Sequence, residues 1–166
     1  MSGSLDEEIG VLKRRTIEAA FAKAVFEEMA AELGEARAKS ILARAVAGLA
    51  RAAGREWAAK APDGRTDLAS FEATLPAWMK DDALRIEVLK RTDTELHFNV
   101  VRCRYAETYR AMGLGELGAI LSCNRDGTFC EGYDKRLRLT RTQTIMEGAA
   151  HCDFRYRLER GDGESG

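Results

Sequence analysis

Two short polar clusters near the end of the chain combine side chains that can carry out chemistry. The first is Cys123-Asn124-Arg125-Asp126-Gly127, and the second is His151-Cys152-Asp153-Phe154. Thiol, carboxylate and imidazole groups act as nucleophiles, as general acids and bases, or as metal ligands. We therefore predict that the catalytic residues are Cys123, Asp126, His151, Cys152 and Asp153.

Cys123 is the candidate nucleophile, but its predicted position works against a thiolate. The sequence places residues 123–127 in a turn just past a helix, where the negative end of the helix dipole disfavours a thiolate. A nucleophilic role then needs a nearby base or cation, for which His151, Arg125 or Arg141 could serve. A buried structural cysteine beside an Asp-Gly turn is the alternative.

The second cluster opens a predicted strand, in which side chains alternate between two faces. Cys152 then shares a face with Phe154, whereas His151 and Asp153 share the other face. The three residues of the cluster cannot all point into one pocket unless the strand begins at Cys152 or later. An inward thiol opposite Cys123 is the functional interpretation, and a core cysteine is the alternative.

Four of these side chains are also legitimate metal ligands, so a divalent metal ion is an alternative to nucleophilic catalysis. They are Cys123, Asp126, His151 and Cys152. The spacing of the four cysteines contains no C-x-x-C pair of the kind that structural zinc sites use. The sequence therefore predicts no cofactor and leaves the metal ion open.

A substrate carboxylate has a predicted binding pair in Arg141 and Thr144, because a guanidinium can hold a carboxylate through two hydrogen bonds. Glu107 follows a predicted strand end and would enter the same pocket if that end lies beside Cys123. A solvated side chain on the first turn of a helix is the alternative for Glu107. The predicted partner is therefore a small molecule that carries a carboxylate.

The composition argues against several classes of partner. The chain has 166 residues, with 26 Lys and Arg against 27 Asp and Glu. Such a near-neutral chain is not typical of nucleic-acid or membrane-surface binding, and no apolar run approaches the roughly 20 residues that span a bilayer. The acidic start lacks the apolar core of a secretory signal, so we expect a cytoplasmic protein with reduced thiols. A homo-oligomer is left open.

Helical periodicity comes first and strand alternation later, which predicts an α+β fold with N-terminal helices packed on a roughly four-stranded antiparallel sheet. We expect one domain over residues 1–159, with a helical layer over 5–80, a sheet-forming part over 81–159 and a disordered tail over 160–166. A slip of the apolar phase at Val100-Val101 indicates a bulge, or a strand covered on both faces. The apolar face of the first helix is predicted from Ile17, Phe21, Val25 and Met29.

Several spaced motifs together resemble the L-2-amino-thiazoline-4-carboxylic acid hydrolase family, over roughly residues 10–158. In chain order they are Cys103-Arg104-Tyr105-Ala106-Glu107, Gly115-Glu116-Leu117-Gly118, Cys123-x-x-Asp126, Arg141-Thr142-x-Thr144 and Cys152-Asp153-Phe154-Arg155-Tyr156. The resemblance implies hydrolytic opening of a cyclic amidine-like ring. The substrate in the family name is a 2-aminothiazoline that bears a carboxylate.

The predicted function is therefore a hydrolase that opens a small cyclic amidine-like heterocycle at a C–N or C–S bond. Cys123, or a water activated by His151 or a carboxylate, would attack the ring carbon, so Cys123→Ser is expected to reduce turnover. One alternative is a non-catalytic small-molecule-binding or sensor domain that uses the same Cys and Asp pocket. Another is a helical module whose N-terminal helices bind a partner.

Overall fold

The computed structural model describes residues 8–160 of the chain. It confirms the α+β class, with N-terminal helices followed by a four-stranded antiparallel sheet. The predicted tail lies outside the described residues apart from Arg160, and so do residues 5–7 of the predicted helical layer.

The helices are α1 (Val11–Leu33), α2 (Glu35–Ala58), α3 (Leu68–Glu72), α4 (Leu75–Met79), α5 (Arg104–Ala111) and α6 (Asn124–Tyr133). The strands are β1 (Leu84–Arg91), β2 (Glu95–Cys103), β3 (Leu137–Thr140) and β4 (Cys152–Leu158). In addition, 3₁₀ turns cover Pro62–Gly64 and Lys80–Asp82, and a π-helical turn covers Ala119–Cys123.

The strands pair in the order β1-β2-β4-β3, and every pair is antiparallel. β1 and β2 form the predicted hairpin. Their pairing slips between Arg85 opposite Arg102 and Ile86 opposite Val100, so Val101 is an extra residue. This slip confirms the predicted bulge. β2 and β4 are the inner strands of the sheet. Cys152, the first residue of β4, therefore lies on an inner strand.

The inner strands turn one face toward the helices and form the main core there. This face consists of Leu96, Phe98, Val100, Cys152, Phe154 and Tyr156, each at most 8% exposed. It packs against Phe71 of α3 and Phe129 of α6. Side chains alternate between the two faces along β4, so the buried thiol of Cys152 points toward the helices and Asp153 points to the opposite side of the sheet.

Helices α2 and α6 approach each other until their backbones touch. A Cβ atom added to Gly54 would lie 2.2 Å from the carbonyl oxygen of Phe129. A Cβ atom added to Gly132 would lie 2.1 Å from the carbonyl oxygen of Arg51. Neither distance leaves room for a side chain, so the two glycines set how closely α6 packs on α2. This contact holds α6, which carries Asp126 near its start, in place beside the sheet.

The predicted turn at residues 123–127 is wrong, because the chain is helical there. The π-helical turn Ala119–Cys123 continues directly into α6. An Asp-Gly pair favours a turn in isolation. Here the burial of Phe129, Cys130 and Tyr133 along α6 outweighs that local preference. The third strand, Leu137–Thr140, begins only after α6 has ended at Tyr133.

The apolar face predicted for α1 is not the face that packs on the protein. Of the four predicted residues, Ile17, Phe21 and Val25 are 65%, 75% and 39% exposed, whereas Met29 packs against the core. The buried residues of the helix are Val11, Arg15, Ala19 and Phe26. Ala19 is 1% exposed in a core cluster that α1 forms with α2 and α5, and Glu18 offsets the buried charge of Arg15 at 2.6 Å. Close packing and charge pairing, rather than total hydrophobicity, therefore select the inner face of α1.

None of the helices within residues 8–160 combines the length and the apolar character that crossing a lipid bilayer demands.

The contact between α2 and α6 predicts opposite effects for two glycine substitutions in α2. Gly54→Ala is expected to lower the free energy of unfolding by about 1–3 kcal/mol or more, because the new methyl group forces the helix backbones apart. Gly48→Ala, at an exposed position with no atom near its Cβ, is the matched control and should raise stability by about 0.5–1 kcal/mol. Urea denaturation of the two variants measures both changes. Equal effects of the two substitutions would contradict the backbone contact.

Candidate functional site

A cavity of about 110 Å³ lies between the sheet and the helices. Its wall is largely apolar and includes the aromatic rings of Phe71, Trp78, Phe98 and Phe154. Among the residues that line it, those with thiol or charged side chains are Arg15, Cys103, Cys123, Arg125, Asp126, Arg141 and Cys152. The fold therefore brings together four of the residues that the sequence singled out, from α6, the segment after β3, and β4.

A buried ion pair between Arg141 and Asp126 forms the polar end of the cavity. The Nη1 group of Arg141 donates a hydrogen bond to Oδ2 of Asp126, and its Nη2 group donates to the carbonyl oxygen of Cys123 at 2.9 Å. The guanidinium also lies 5.0 Å from the ring centre of Phe154. Arg141 therefore fastens the segment after β3 to the start of α6 and covers an aromatic residue of β4.

Asp126 is the carboxyl group whose charge the site makes costly. Burial raises the pKa of Asp126, and the neighbouring Arg141 only partly opposes that rise. Burial also works against the charge of Arg141, but Asp126 outweighs it and raises the pKa of the guanidinium. The 29% of the Asp126 side chain that stays accessible borders the cavity. Asp126 can therefore exchange a proton with a molecule in the cavity at a pH nearer to neutral than an ordinary aspartate.

The three cysteines of the cavity are neutral thiols. Burial raises the pKa of Cys123 to about 12, and the charge of Asp126 adds to the effect. Burial likewise raises the pKa of Cys103 to about 11 and raises that of Cys152. The sulfur of Cys152 accepts a hydrogen bond from the backbone N–H of Ile145 at 3.2 Å. None of the three sulfurs therefore has the electropositive surroundings that produce a reactive thiolate.

Four of the predicted site residues do not line the cavity. Asp153 accepts hydrogen bonds from the hydroxyl and backbone N–H of Thr142 and holds the turn there. Thr144 is 4% exposed and donates to Glu147 at 2.7 Å. Glu107 is paired with Arg102 at the surface, and the backbone carbonyl of His151 accepts a hydrogen bond from Gln143. The predicted carboxylate grip of Arg141 with Thr144 does not form, because Arg141 is bound to Asp126.

The sequence reasoning missed Arg15 as a cavity residue and considered Arg125 only as a cation that could support Cys123, but both line the cavity. Arg15 is 8% exposed and donates to Glu18 at 2.6 Å. Arg125 donates to Glu18 at 3.2 Å and to the carbonyl oxygen of Leu121 at 2.7 Å, and burial lowers its pKa to about 10. Arg14 also donates to Glu18, at 2.9 Å, so three guanidinium groups share one carboxylate, which leaves an excess of positive charge beside the cavity. The sequence carried one signal for Arg15. It lies four residues from both Val11 and Ala19, a spacing that places the three residues on the same face of the helix.

The predicted set of metal ligands is not assembled. Within residues 8–160, no three side chains of His, Cys, Asp or Glu are placed so that they could hold a metal ion. His151 does not line the cavity to which Cys123, Asp126 and Cys152 belong.

Removal of the guanidinium at position 141 tests the buried ion pair. Arg141→Gln is expected to lower the free energy of unfolding by about 3–5 kcal/mol at neutral pH, because Asp126 keeps a buried charge without a counter-ion. The loss should shrink as the pH falls. In the folded protein Asp126 keeps its proton up to a higher pH than in the unfolded chain. A rise in pH through this raised pKa therefore lowers the free energy of unfolding, and a fall in pH restores it.

Urea denaturation over a range of pH measures this effect. Arg157→Gln is the control, since this side chain is 70% exposed and lies 3.7 Å from Glu95, and it should change stability by about 1 kcal/mol or less. The double variant Arg141→Gln, Asp126→Asn should recover part of the lost stability. A loss that does not depend on pH would contradict the proposed role of Asp126.

Two solved structures share the fold of this chain. The phenol-responsive sensory domain of the transcription activator PoxR, in complex with phenol, aligns with a TM-score of 0.54 and 15% identity, over 84% of this chain and 73% of that chain. A trafficking protein particle complex subunit 3 from Naegleria fowleri, covalently bound to palmitic acid, aligns with a TM-score of 0.53 and 13% identity, over 89% of this chain and 96% of that chain. At these identities the likeness concerns the fold alone. No curated protein matches the sequence.

The amino-acid sequence matches a family profile over most of its length. The profile of the L-2-amino-thiazoline-4-carboxylic acid hydrolase family covers residues 14–156. This range includes every residue that lines the cavity except Val11. The resemblance seen in the spaced motifs is therefore confirmed, and the chain belongs to the L-2-amino-thiazoline-4-carboxylic acid hydrolase family.

Proposed function

We propose that this protein hydrolyses a small cyclic amidine-like ring inside the cavity, with Asp126 as the group that moves the protons. The observation that carries the proposal is a carboxyl group with a raised pKa in a mostly apolar cavity. A general base works best when its pKa lies near the working pH, and burial shifts Asp126 in that direction. The name of the family supports a hydrolase.

The size of the cavity suits a single small ring. Its volume of about 110 Å³ is of the same order as the roughly 150 Å³ of an engineered apolar cavity that binds benzene. The aromatic wall would contact the faces of a planar ring, and Asp126 would accept a hydrogen bond from a protonated ring nitrogen or amino group. A 2-aminothiazoline carboxylate combines these features.

The proposed reaction consumes one water molecule. Asp126 takes one proton from the water as the water oxygen bonds to the carbon between the ring nitrogen and the sulfur. Asp126 then passes this proton to the ring nitrogen, which takes up the electron pair of the C=N bond. The C–S or C–N bond of the ring then breaks as the new C=O bond forms, and the second proton of the water passes to the leaving atom. General acid and base catalysis of this kind contributes about 10²- to 10⁴-fold in rate.

Attack by Cys123 is the less favourable route. With a pKa of about 12, roughly one Cys123 in 100,000 is a thiolate at pH 7. A charged nucleophile at this position would also face the nearby carboxylate of Asp126. We therefore assign Cys123 to the wall of the cavity and the attack to a water molecule.

The carboxylate of the substrate has a better partner than the predicted pair of Arg141 and Thr144. Arg15 and Arg125 border the cavity and share the single carboxylate of Glu18 with Arg14, so positive charge is in excess there. A guanidinium in a buried site binds a carboxylate strongly, because little water competes for it. We propose that these two arginines orient the ring so that its reactive carbon faces Asp126.

A small-molecule-binding domain without turnover is the second candidate function. The largely apolar wall and the neutral thiols favour it, since a binding site needs no activated nucleophile. A solved domain of the same fold is described as phenol-responsive and was determined with phenol. This candidate predicts that a ring compound binds to the protein and is recovered unchanged.

Incubation of the purified protein with 2-aminothiazoline-4-carboxylate separates the two candidates. Ring opening adds the mass of one water to the substrate, which mass spectrometry detects, and cleavage of the C–S bond also releases a titratable thiol. Recovery of unchanged compound together with binding in calorimetry would support the binding domain instead. Neither binding nor turnover of such rings would contradict both.

Two isosteric substitutions separate the roles of Asp126 and Cys123. Asp126→Asn is expected to lower kcat by about 10²- to 10⁴-fold with the fold retained, because the amide cannot take a proton. Cys123→Ser should keep a near-normal kcat, in contrast to the expectation from the sequence. Steady-state kinetics and circular dichroism of both variants provide the comparison. A large loss in Cys123→Ser alone would restore the thiol as the nucleophile.

The pH dependence of kcat/KM provides a second test. The ionised form of Asp126 is the active one, so kcat/KM should rise with pH through the raised pKa of this carboxyl. The inflection should lie above the ordinary aspartate value of 3.8. It should be absent from the residual activity of Asp126→Asn, and an inflection that persists in this variant would exclude Asp126 as the base.

Substitution of Arg125 tests the proposed carboxylate site. Arg125→Gln should raise KM for the carboxylate substrate by about 10- to 100-fold, which corresponds to a lost hydrogen bond to a charged group. The same variant should handle the parent 2-aminothiazoline, which has no carboxylate, much as the unmodified protein does. Arg157→Gln is the surface control. An equal effect on both compounds would show that Arg125 has only a structural role.

A further inference from the structure

One face of α1 exposes more apolar surface than a helix on a protein surface normally does. Ile17, Phe21 and Val25 follow one another at intervals of four residues and are 65%, 75% and 39% exposed. Residues at this spacing lie on one side of a helix, so the three side chains form a continuous apolar stripe. We call these three residues the outer stripe of α1. A stripe of this kind indicates an interaction surface.

The residues outside the described part of the chain offer little to cover the outer stripe. They are residues 1–7 and 161–166, and their only large apolar side chains are those of Met1 and Leu5. A lipid surface is also a poor fit, because acidic side chains follow the stripe toward the end of the helix. These are Glu27, Glu28 and Glu32, each exposed. Anionic head groups would repel them.

We propose that the outer stripe packs on the same stripe of a second copy of this chain, with the two α1 helices antiparallel. A two-fold axis at Phe21 stacks Phe21 on the partner's Phe21. Ile17 and Val25 lie equally far from Phe21 in sequence, so the axis places Ile17 against the partner's Val25. The stripe is therefore complementary to itself, as the interface of a symmetric dimer requires.

The charges along α1 select the antiparallel direction. The helix carries Lys13 and Arg14 near its start and Glu27, Glu28 and Glu32 near its end. Arg14, which also donates to Glu18 of its own chain at 2.9 Å, and Glu28 are equally distant from Phe21, so the same axis brings Arg14 beside Glu28 of the partner subunit. A parallel pair would instead place like charges side by side. The proposed dimer uses the outer face of α1, opposite the inner face that holds Arg15 at the cavity, and does not depend on the proposed activity.

The mass of the protein in solution tests the dimer directly. Sedimentation equilibrium of the full chain at micromolar concentration is expected to give twice the monomer mass of 18.4 kDa. Phe21→Glu should shift the protein to the monomer mass, with a circular dichroism spectrum like that of the unmodified protein. Leu89→Glu is the matched control, because Leu89 is an apolar residue of β1 that is 57% exposed, and it should leave the dimer intact. A monomeric unmodified protein, or a dimer that survives Phe21→Glu, would overturn the proposal.

Engineered cysteines test the direction of the helices. Phe21→Cys should form a disulfide-linked dimer under mild oxidation, since the axis brings the two copies of position 21 together. Glu28→Cys should not, because the two copies of position 28 are about 21 Å apart along antiparallel helices. The unmodified protein, with its four native cysteines, is the control for other disulfides. Crosslinking through position 28, with or without crosslinking through position 21, would contradict the antiparallel pairing.

Discussion

The buried ion pair of Asp126 and Arg141 is the interaction on which the arrangement of the cavity depends. Two charges removed from water are costly, and they persist only where geometry and further hydrogen bonds offset that cost. Arg141 meets this condition by binding Asp126 and the carbonyl oxygen of Cys123 and by covering the ring of Phe154. One side chain thus joins a helix, a loop and an inner strand. The same pairing leaves Asp126 with a raised pKa at the edge of an apolar space.

The ion pair can form only because α6 lies close to α2 and to the sheet. Gly54 and Gly132 allow the backbones of the two helices to touch, which sets the position of the helix start that carries Asp126. The same enclosure has a consequence for the cysteines. Burial raises their pKa values, and at Cys123 burial and the charge of Asp126 outweigh the opposing effect of Arg141, so the position that brings the thiols to the cavity also keeps them protonated. Proximity of a thiol to a pocket is therefore a weaker guide to catalysis than its electrostatic surroundings.

The fold and the chemistry of this protein have separate origins. Membership of the hydrolase family rests on the sequence, whereas solved structures of the same fold include a sensory domain and a subunit of a trafficking complex. A fold does not imply a function, and function depends on the groups placed in the site. In this chain those groups are one carboxyl and three guanidiniums in a largely apolar wall. Their combination favours a small anionic ring with a polar nitrogen, whether the ring is hydrolysed or only bound.

The sequence by itself determined the α+β class, the hairpin with its bulge, the start of β4 and the family, because periodicity and the order of motifs are properties of neighbouring residues. It also identified Cys123, Asp126, Arg141 and Cys152, which meet at the cavity. Only the tertiary structure decided which face of α1 is buried, since close packing at Ala19 and the pairing of Arg15 with Glu18 outweigh the hydrophobicity of the outer stripe. It alone joins Glu18 to Arg125, which are 107 positions apart. Burial and charge pairing across such distances depend on the whole fold, so no local pattern could reveal them.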